Sequence, residues 1–245
     1  MSDELRVAFH TELEAIRGEI VQLASAVRDA IGRATTVLLT GDFEAARLLI
    51  FWDDEIDARA IELEERCGRV LALQAPVAVD LRLVLAVIRI TAEIERTADL
   101  LVNICKTSVR IGRPLPAALH ADLLAMSEQA TELHTAAIYA FAADDADQAE
   151  TLDEQDSALD NSHRAFVQSL HGHHSAGDID LDTAIQVAIV ARFYERIGDH
   201  AVNIAERVRY HVIGGLPHHV GATRYRTAHP RPIGTEGDEH HLPDG

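Results

Sequence analysis

The sequence predicts an all-α protein built as two tandem three-helix bundles with six long helices. Three observations carry that prediction. Apolar residues recur at alternating spacings of three and four over long stretches, the signature of a helix with one buried stripe. Glycine, aspartate and proline punctuate these stretches in an order that occurs twice. Most telling, the segment E-R-T-A-D-L-L-V-N-I at 95–104 returns one hundred residues later as E-R-I-G-D-H-A-V-N-I at 195–204. With aromatic residues at only 4%, the core must be made of Leu, Ile, Val and Ala, side chains that let helices approach closely.

The first helix is defined by Phe9, Leu13, Ile16, Ile20, Leu23, Val27, Ala30, Ala34 and Val37 on one stripe. Gly41-Asp42 predicts a reversal. The second helix is expected from about Phe43 to Leu73, with Leu48, Phe51, Ile56, Leu63, Val70 and Leu71 as its apolar positions. Pro76 suits the first turn of a third helix, where a missing N–H costs little. That helix is expected to run to about Ile111, before Gly112-Arg113-Pro114. The order then restarts. A fourth helix is predicted over 116–141, carrying Leu119, Leu123, Met126, Ala130, Leu133 and Ala137, with Asp144-Asp145 as the turn that matches Gly41-Asp42. A fifth is expected over 147–170, a polar connection over 171–177, and a sixth over 180–211, with aspartates as natural N-terminal caps. At the usual rise, each helix spans roughly 35 to 50 Å. Residues 1–112 and 113–213 thus form the two bundles, and 214–245 reads as a flexible tail rich in His, Pro and Gly.

Composition narrows the function. A net charge of −18 repels nucleic acid and anionic lipid at long range and favours cations or basic protein surfaces. Two cysteines without a paired motif, Cys67 and Cys105, read as buried thiols of a reducing compartment. With neither a secretory leader nor a membrane span legible, a cytoplasmic protein is expected. Cys67, Cys105 and Trp52 are assigned to packing.

The duplicated segment carries the chemistry. On a helix, Glu95, Asp99 and Asn103 lie four apart, as do Glu195, Asp199 and Asn203. Both acidic pairs fall on stripes otherwise apolar: Leu85, Ile88, Ala92, Glu95, Asp99 and Val102 in the third helix, and Ile185, Ala188, Arg192, Glu195, Asp199 and Val202 in the sixth. Carboxylates on a contact stripe repel one another and lose hydration, so they need compensation. One solution is pairing with Arg96, Arg196 or Arg192; another is water between the helices. A third is a hard cation held together with Asp53 or Asp57 from the facing second helix, and with Asp156 or Asp160 in the second bundle. Magnesium, manganese and iron suit such oxygen donors. The two asparagines either support a carboxylate or bridge helices. His200 lies about 100° around the helix from Asp199, a weak ligand position. His163 sits three residues after Asp160 without a counterpart in the first bundle, and the His240-His241 pair reads as solvated sequence.

Signs of catalysis are poor. No phosphate-binding glycine loop and no nucleophile–base constellation can be read. A carboxylate-bridged oxidase or a metal store is the alternative of a different class. Its usual Glu-x-x-His spacing is absent.

The repeated Glu-Arg-x-x-Asp and Asn-Ile elements, together with Gln74-x-Pro76 and Asp80-Leu81-Arg82 before the first of them, resemble the PhoU family (PhoY in some actinobacteria) over about residues 4–212. The resemblance implies two related three-helix bundles, often a homodimer, and a non-enzymatic role in the cytosol. It further implies negative regulation of phosphate uptake and of the phosphate-starvation response, coupling the nucleotide-binding subunit of a phosphate ABC transporter to a sensor histidine kinase. Relatives carry a divalent cation such as Mg or Mn, or an iron cluster. That places Glu95, Asp99, Glu195 and Asp199 in the metal-binding faces, with Asp53, Asp57, Asp156 and Asp160 as contributors. Thr97-Ala98 stands where the second copy has Ile197-Gly198, and Arg192 where the first has Ala92. An inward Arg192 would replace a cation in the second bundle.

Overall fold

Helix α1 (Ser2–Thr40) buries the expected stripe from Leu13 to Val37, with Phe9 packed against its edge. The computed structural model describes the backbone of residues 2–214 and side chains from Arg6 onward. The tail from 215, with His240 and His241, lies outside the described residues. Five further helices follow: α2 (Phe43–Gln74), α3 (Ala78–Ile111), α4 (His120–Ala143), α5 (Ala146–Ala176) and α6 (Leu181–Ile213), with a 3₁₀ turn Ala117–Leu119 before α4.

The turns follow local chemistry. Gly41 takes φ +68° between α1 and α2, and a Cβ there would lie 2.9 Å from Pro114 N, so the position needs glycine twice over. Asp42 caps α2 by accepting from the Ala45 N–H at 3.0 Å. Asp145 and Asp180 cap α5 and α6 in the same way, accepting from Gln148 and Thr183 at 2.9 and 2.7 Å. Where the first bundle uses Gly41, the second places Asp144 in the left-handed region. Its carboxylate is held there by Arg17 of α1 at 2.6 Å and His211 of α6 at 3.2 Å.

Helices α1, α3, α6 and α4 pack in a ring, each against the next, around a continuous apolar core. Helix α2 lies outside against α1 and α3, and α5 lies outside against α4 and α6. The seams α2/α3 and α5/α6 are therefore the outer joints of the molecule. Polar links cross the ring's interior. Thr35 Oγ1 lies 2.7 Å from both Ser127 Oγ and Tyr194 OH, joining α1, α4 and α6. His134 of α4 donates from Nε2 to the Ala24 carbonyl of α1 at 3.1 Å.

Four expectations change. Leu48 and Phe51 are 67% and 73% exposed. The core face of α2 is instead Ala46, Leu49, Ile56, Ala60, Leu63, Cys67 and Val70, whose small members bring the helix close. Pro76 does not sit in the first turn of α3: the helix starts at Ala78 with Val77 as its cap, and pre-proline Ala75 ends α2 in a left-handed conformation. The 171–177 stretch is not a connection. Helix α5 continues to Ala176, stopped by Gly177, with His173 and His174 at its electronegative end bonded to Asp178 and the Ile179 carbonyl. Finally, the stripe through Leu85, Ile88, Glu95 and Asp99 is the margin of α3. Its deepest line runs one residue earlier, through Val84, Val87, Ile94, Ala98 and Leu101.

Candidate functional site

Each outer joint carries a carboxylate face. In the first, α2 supplies Asp53 and Asp57 and α3 supplies Glu95 and Asp99, and the charges sense one another. Burial pushes the Asp53 carboxyl up to about 6, helped by Asp57 and Asp99 and opposed by Lys106. Burial followed by Asp99 raises Asp57, and burial followed by Asp57 and Asp99 raises Glu95. The four residues expected on this face lie within reach of one another's charge, with Asp53, Asp57 and Glu95 half-buried and Asp99 exposed at the rim.

The second joint repeats the arrangement with a difference. Burial pushes Asp156 of α5 up to about 6, with Asp160 and Asp199 adding repulsion. Glu195 is only 8% exposed and is ion-paired with Arg192 one turn before it. His163 stands beside this group, held below its ordinary value by burial and then by Arg192, with Asp160 acting the other way. Gly198 lets Asp156 lie directly against α6: a Cβ there would overlap Asp156 Oδ1 and come within 2.9 Å of Leu159 Cδ2.

Three carboxylate oxygens at these faces, Asp53 Oδ1, Asp156 Oδ1 and Glu195 Oε2, are buried without a hydrogen-bond partner. Such an oxygen is costly to bury and suits a hard cation as ligand, so the donor chemistry fits Mg, Mn or iron. As the side chains stand, no three carboxylate, His or Cys groups among the described residues are gathered tightly enough to enclose an ion.

Asn203 parts company with the acids. Residues four apart drift 40° around a helix, so over eight residues Asn203 turns well away from Glu195. Asn203 donates instead to Glu93 Oε2 of α3 at 3.1 Å, and His200 Nδ1 meets the same oxygen at 2.7 Å. Arg96 bonds the other oxygen of Glu93 at 3.1 Å. His200 and Asn203 hold Glu93 below the usual carboxylate range against the opposing effect of burial, the largest single influence. Glu93 escaped the sequence reading. Its signal was a break in the repeat, since Glu93 answers to Phe193 and His200 to Leu100.

These features define an all-helical scaffold duplicated in tandem, with an acidic face on each outer joint and a polar clasp between the halves. The PhoU domain family model matches residues 20–108 and 123–208. A phosphate-specific transport accessory protein PhoU homolog 1 of Mycobacterium leprae is 31% identical over 87% of this chain and 96% of its own length. The phosphate-specific transport system accessory protein PhoU of Serratia marcescens is 29% identical over 87% and 88%. The crystal structure of PhoU from Pseudomonas aeruginosa superposes with a TM-score of 0.79 at 26% identity, covering 84% of this chain and all of that one. The chain belongs to the PhoU family. Among the described residues, no helix is long and apolar enough to cross a membrane.

Proposed function

We propose that this chain is a cytoplasmic accessory protein of phosphate-specific transport that acts as a negative regulator. In this reading it binds the nucleotide-binding subunit of a phosphate ABC transporter and a sensor histidine kinase, as a homodimer. When phosphate is abundant, it restrains the kinase and uptake. The observation that carries the reading is the match of both halves to one family, across nearly the whole length of relatives named as accessory proteins of phosphate-specific transport.

The carboxylate faces supply the mechanism. A hard cation on Asp53, Asp57, Glu95 and Asp99, or on Asp156, Asp160, Glu195 and Asp199, would neutralise repulsion across a joint. It would thereby fix α2 against α3, or α5 against α6. The chain's own contribution is to hold Asp53, Asp57, Glu95, Asp156, Asp160 and Glu195 partly or wholly buried, where an uncompensated charge is unfavourable and a bound cation has most effect, with Asp99 and Asp199 exposed at the rim. Cation binding then stiffens the outer helices that a partner meets.

Deletion of the gene in its host should raise phosphate-uptake and alkaline phosphatase expression in phosphate-rich medium, and the wild-type chain should restore repression. Unchanged expression after deletion would reject the regulatory reading. Tagged chain should also retain the transporter's nucleotide-binding subunit and the kinase. Elemental analysis of natively purified protein tests the cation directly, with stoichiometric metal lost on neutralising Glu95, Asp99, Glu195 and Asp199. Metal-dependent oxygen consumption would move the assignment to an oxidase.

A further inference from the structure

We propose that Arg192 is a built-in counter-ion that closes the second carboxylate face, so that this chain loads a hard cation on the first face alone. The inference rests on the cation reading above and sharpens it.

The duplicated segment provides an internal comparison. Three residues before each signature glutamate, the first copy has Ala92 and the second has Arg192. That spacing places both side chains on the same helix face as the glutamate. Arg192 uses it: its guanidinium is ion-paired with Glu195 Oε1. Glu195 is nine-tenths buried, whereas the Arg192 side chain is 50% exposed, so the stem reaches in from the rim and only the head engages the acid. In the first copy the neighbouring Arg96 bonds Glu93 toward α6, and its charge reaches Glu95 only through space, without an ion pair. Lys106 is the basic group whose charge reaches Asp53.

A tethered guanidinium has two advantages over a free ion. Its effective concentration at the face is on the order of mM, far above a trace metal in solution. It also repels an approaching dication at the distance where a ligand must be taken from it. Glu195 Oε2 stays without a partner, but recruiting it for a metal means breaking the Arg192 pair or seating two like charges side by side. At the second face, moreover, Gly198 lets Asp156 rest directly on α6, at the position where the first copy carries Ala98. The first face has neither the arginine nor the glycine.

The test uses the full chain freed of metal and titrated with Mn²⁺, with bound manganese counted after equilibrium dialysis. Glu95→Gln/Asp99→Asn should abolish binding by otherwise wild-type protein, and Glu195→Gln/Asp199→Asn should leave it intact. Arg192→Met, which keeps the stem without the charge, should double the bound manganese, and Glu195→Gln/Asp199→Asn should remove the gain. Loss of wild-type binding on neutralising the second face alone, or no gain in Arg192→Met, overturns the proposal. A chain that binds no manganese in any of these forms defeats the cation reading itself.

A metal-free measurement separates the two failures. In chelator, Glu95→Gln relieves repulsion and should raise the melting temperature by a few degrees, whereas Glu195→Gln orphans Arg192 and should lower it. With Arg192→Met already present, Glu195→Gln should become stabilising. A Glu195→Gln variant that is stabilised with Arg192 intact overturns the counter-ion role whatever the metal does.

Discussion

Asp53 and Asp156 face one problem from opposite halves of the chain. Each sets a carboxylate oxygen in the interior without a donor, beside further acids. Because both carboxyls are pushed up to about 6, from 3.8, the folded protein keeps protons that the unfolded chain releases. Their stabilising contribution is therefore complete below about pH 4 and lost as pH rises through about 6. In chelator, the melting temperature should fall across that window, modestly because both groups are part-exposed to screening solvent. An Asp53→Asn/Asp156→Asn variant should flatten the fall. Parallel pH profiles for variant and wild type would show that these two carboxyls do not set it. Glu93 works with the opposite sign. Its carboxyl is held low, so its contribution is present above the ordinary glutamate range and disappears on acidification below it. At this scale Glu95, Asp99, Glu195 and Asp199 were legible in sequence because they repeat at one displacement, whereas Asp53, Asp57, Asp156 and Asp160 correspond only approximately. The Glu93 clasp was hidden because it exists only once and joins residues 107 and 110 positions apart.

At the scale of the helix, Gly198 and Ala98 pose a controlled comparison. In an open helix, Gly→Ala gains about 1 kcal/mol from propensity. At Gly198 the new Cβ would overlap the Asp156 carboxylate and crowd Leu159 and Leu133. Gly198→Ala is therefore expected to lose about 1–2 kcal/mol by urea denaturation, the usual effect of overpacking. The reverse change in the first copy, Ala98→Gly, should lose about 1 kcal/mol for the ordinary entropic reason. A stabilised Gly198→Ala would mean that α5 and α6 separate freely. The same scale shows where periodicity suffices. Helices α1 and α4 have wide apolar stripes, and every core residue read from α4 is buried. Helix α2 misled because Leu48 and Phe51 are large and apolar, yet lie 100° and 200° around from Leu49, which takes the core. Its true face uses Ala46, Ala60 and Cys67, which hydrophobicity alone ranks low. The last turns of α5 were missed because their residues are polar: a helix end stabilised by histidines and a left-handed glycine carries no apolar period.

For the molecule as a whole, the two bundles depart from their repeat where they meet. Glu93 replaces the apolar residue expected from its counterpart Phe193, and His200 replaces the leucine expected from Leu100, so a charged clasp spans α3 and α6 within an apolar ring. Further links cross between the halves, His134 to the Ala24 carbonyl among them. Thr35 joins Ser127 and Tyr194, and Arg17 holds both Asp144 and the Phe141 carbonyl. Arg82 donates to the His211 carbonyl at 3.0 Å. Neither half keeps these groups satisfied alone, because a separated bundle would expose apolar faces of α1, α3, α4 and α6 and leave buried polar atoms without partners. The tandem repeat thus folds as one cooperative unit: calorimetric and van't Hoff enthalpies should agree across a single transition. Glu93→Ala strips His200 and Asn203 of their shared acceptor and should lower stability by about 1–3 kcal/mol, while the transition stays single because the apolar ring and the other links persist. Two resolved transitions in wild type would refute this coupling. Two transitions only in Glu93→Ala would instead make the clasp the chief bond between the halves, the joint through which a cation on one outer seam is felt by the other bundle.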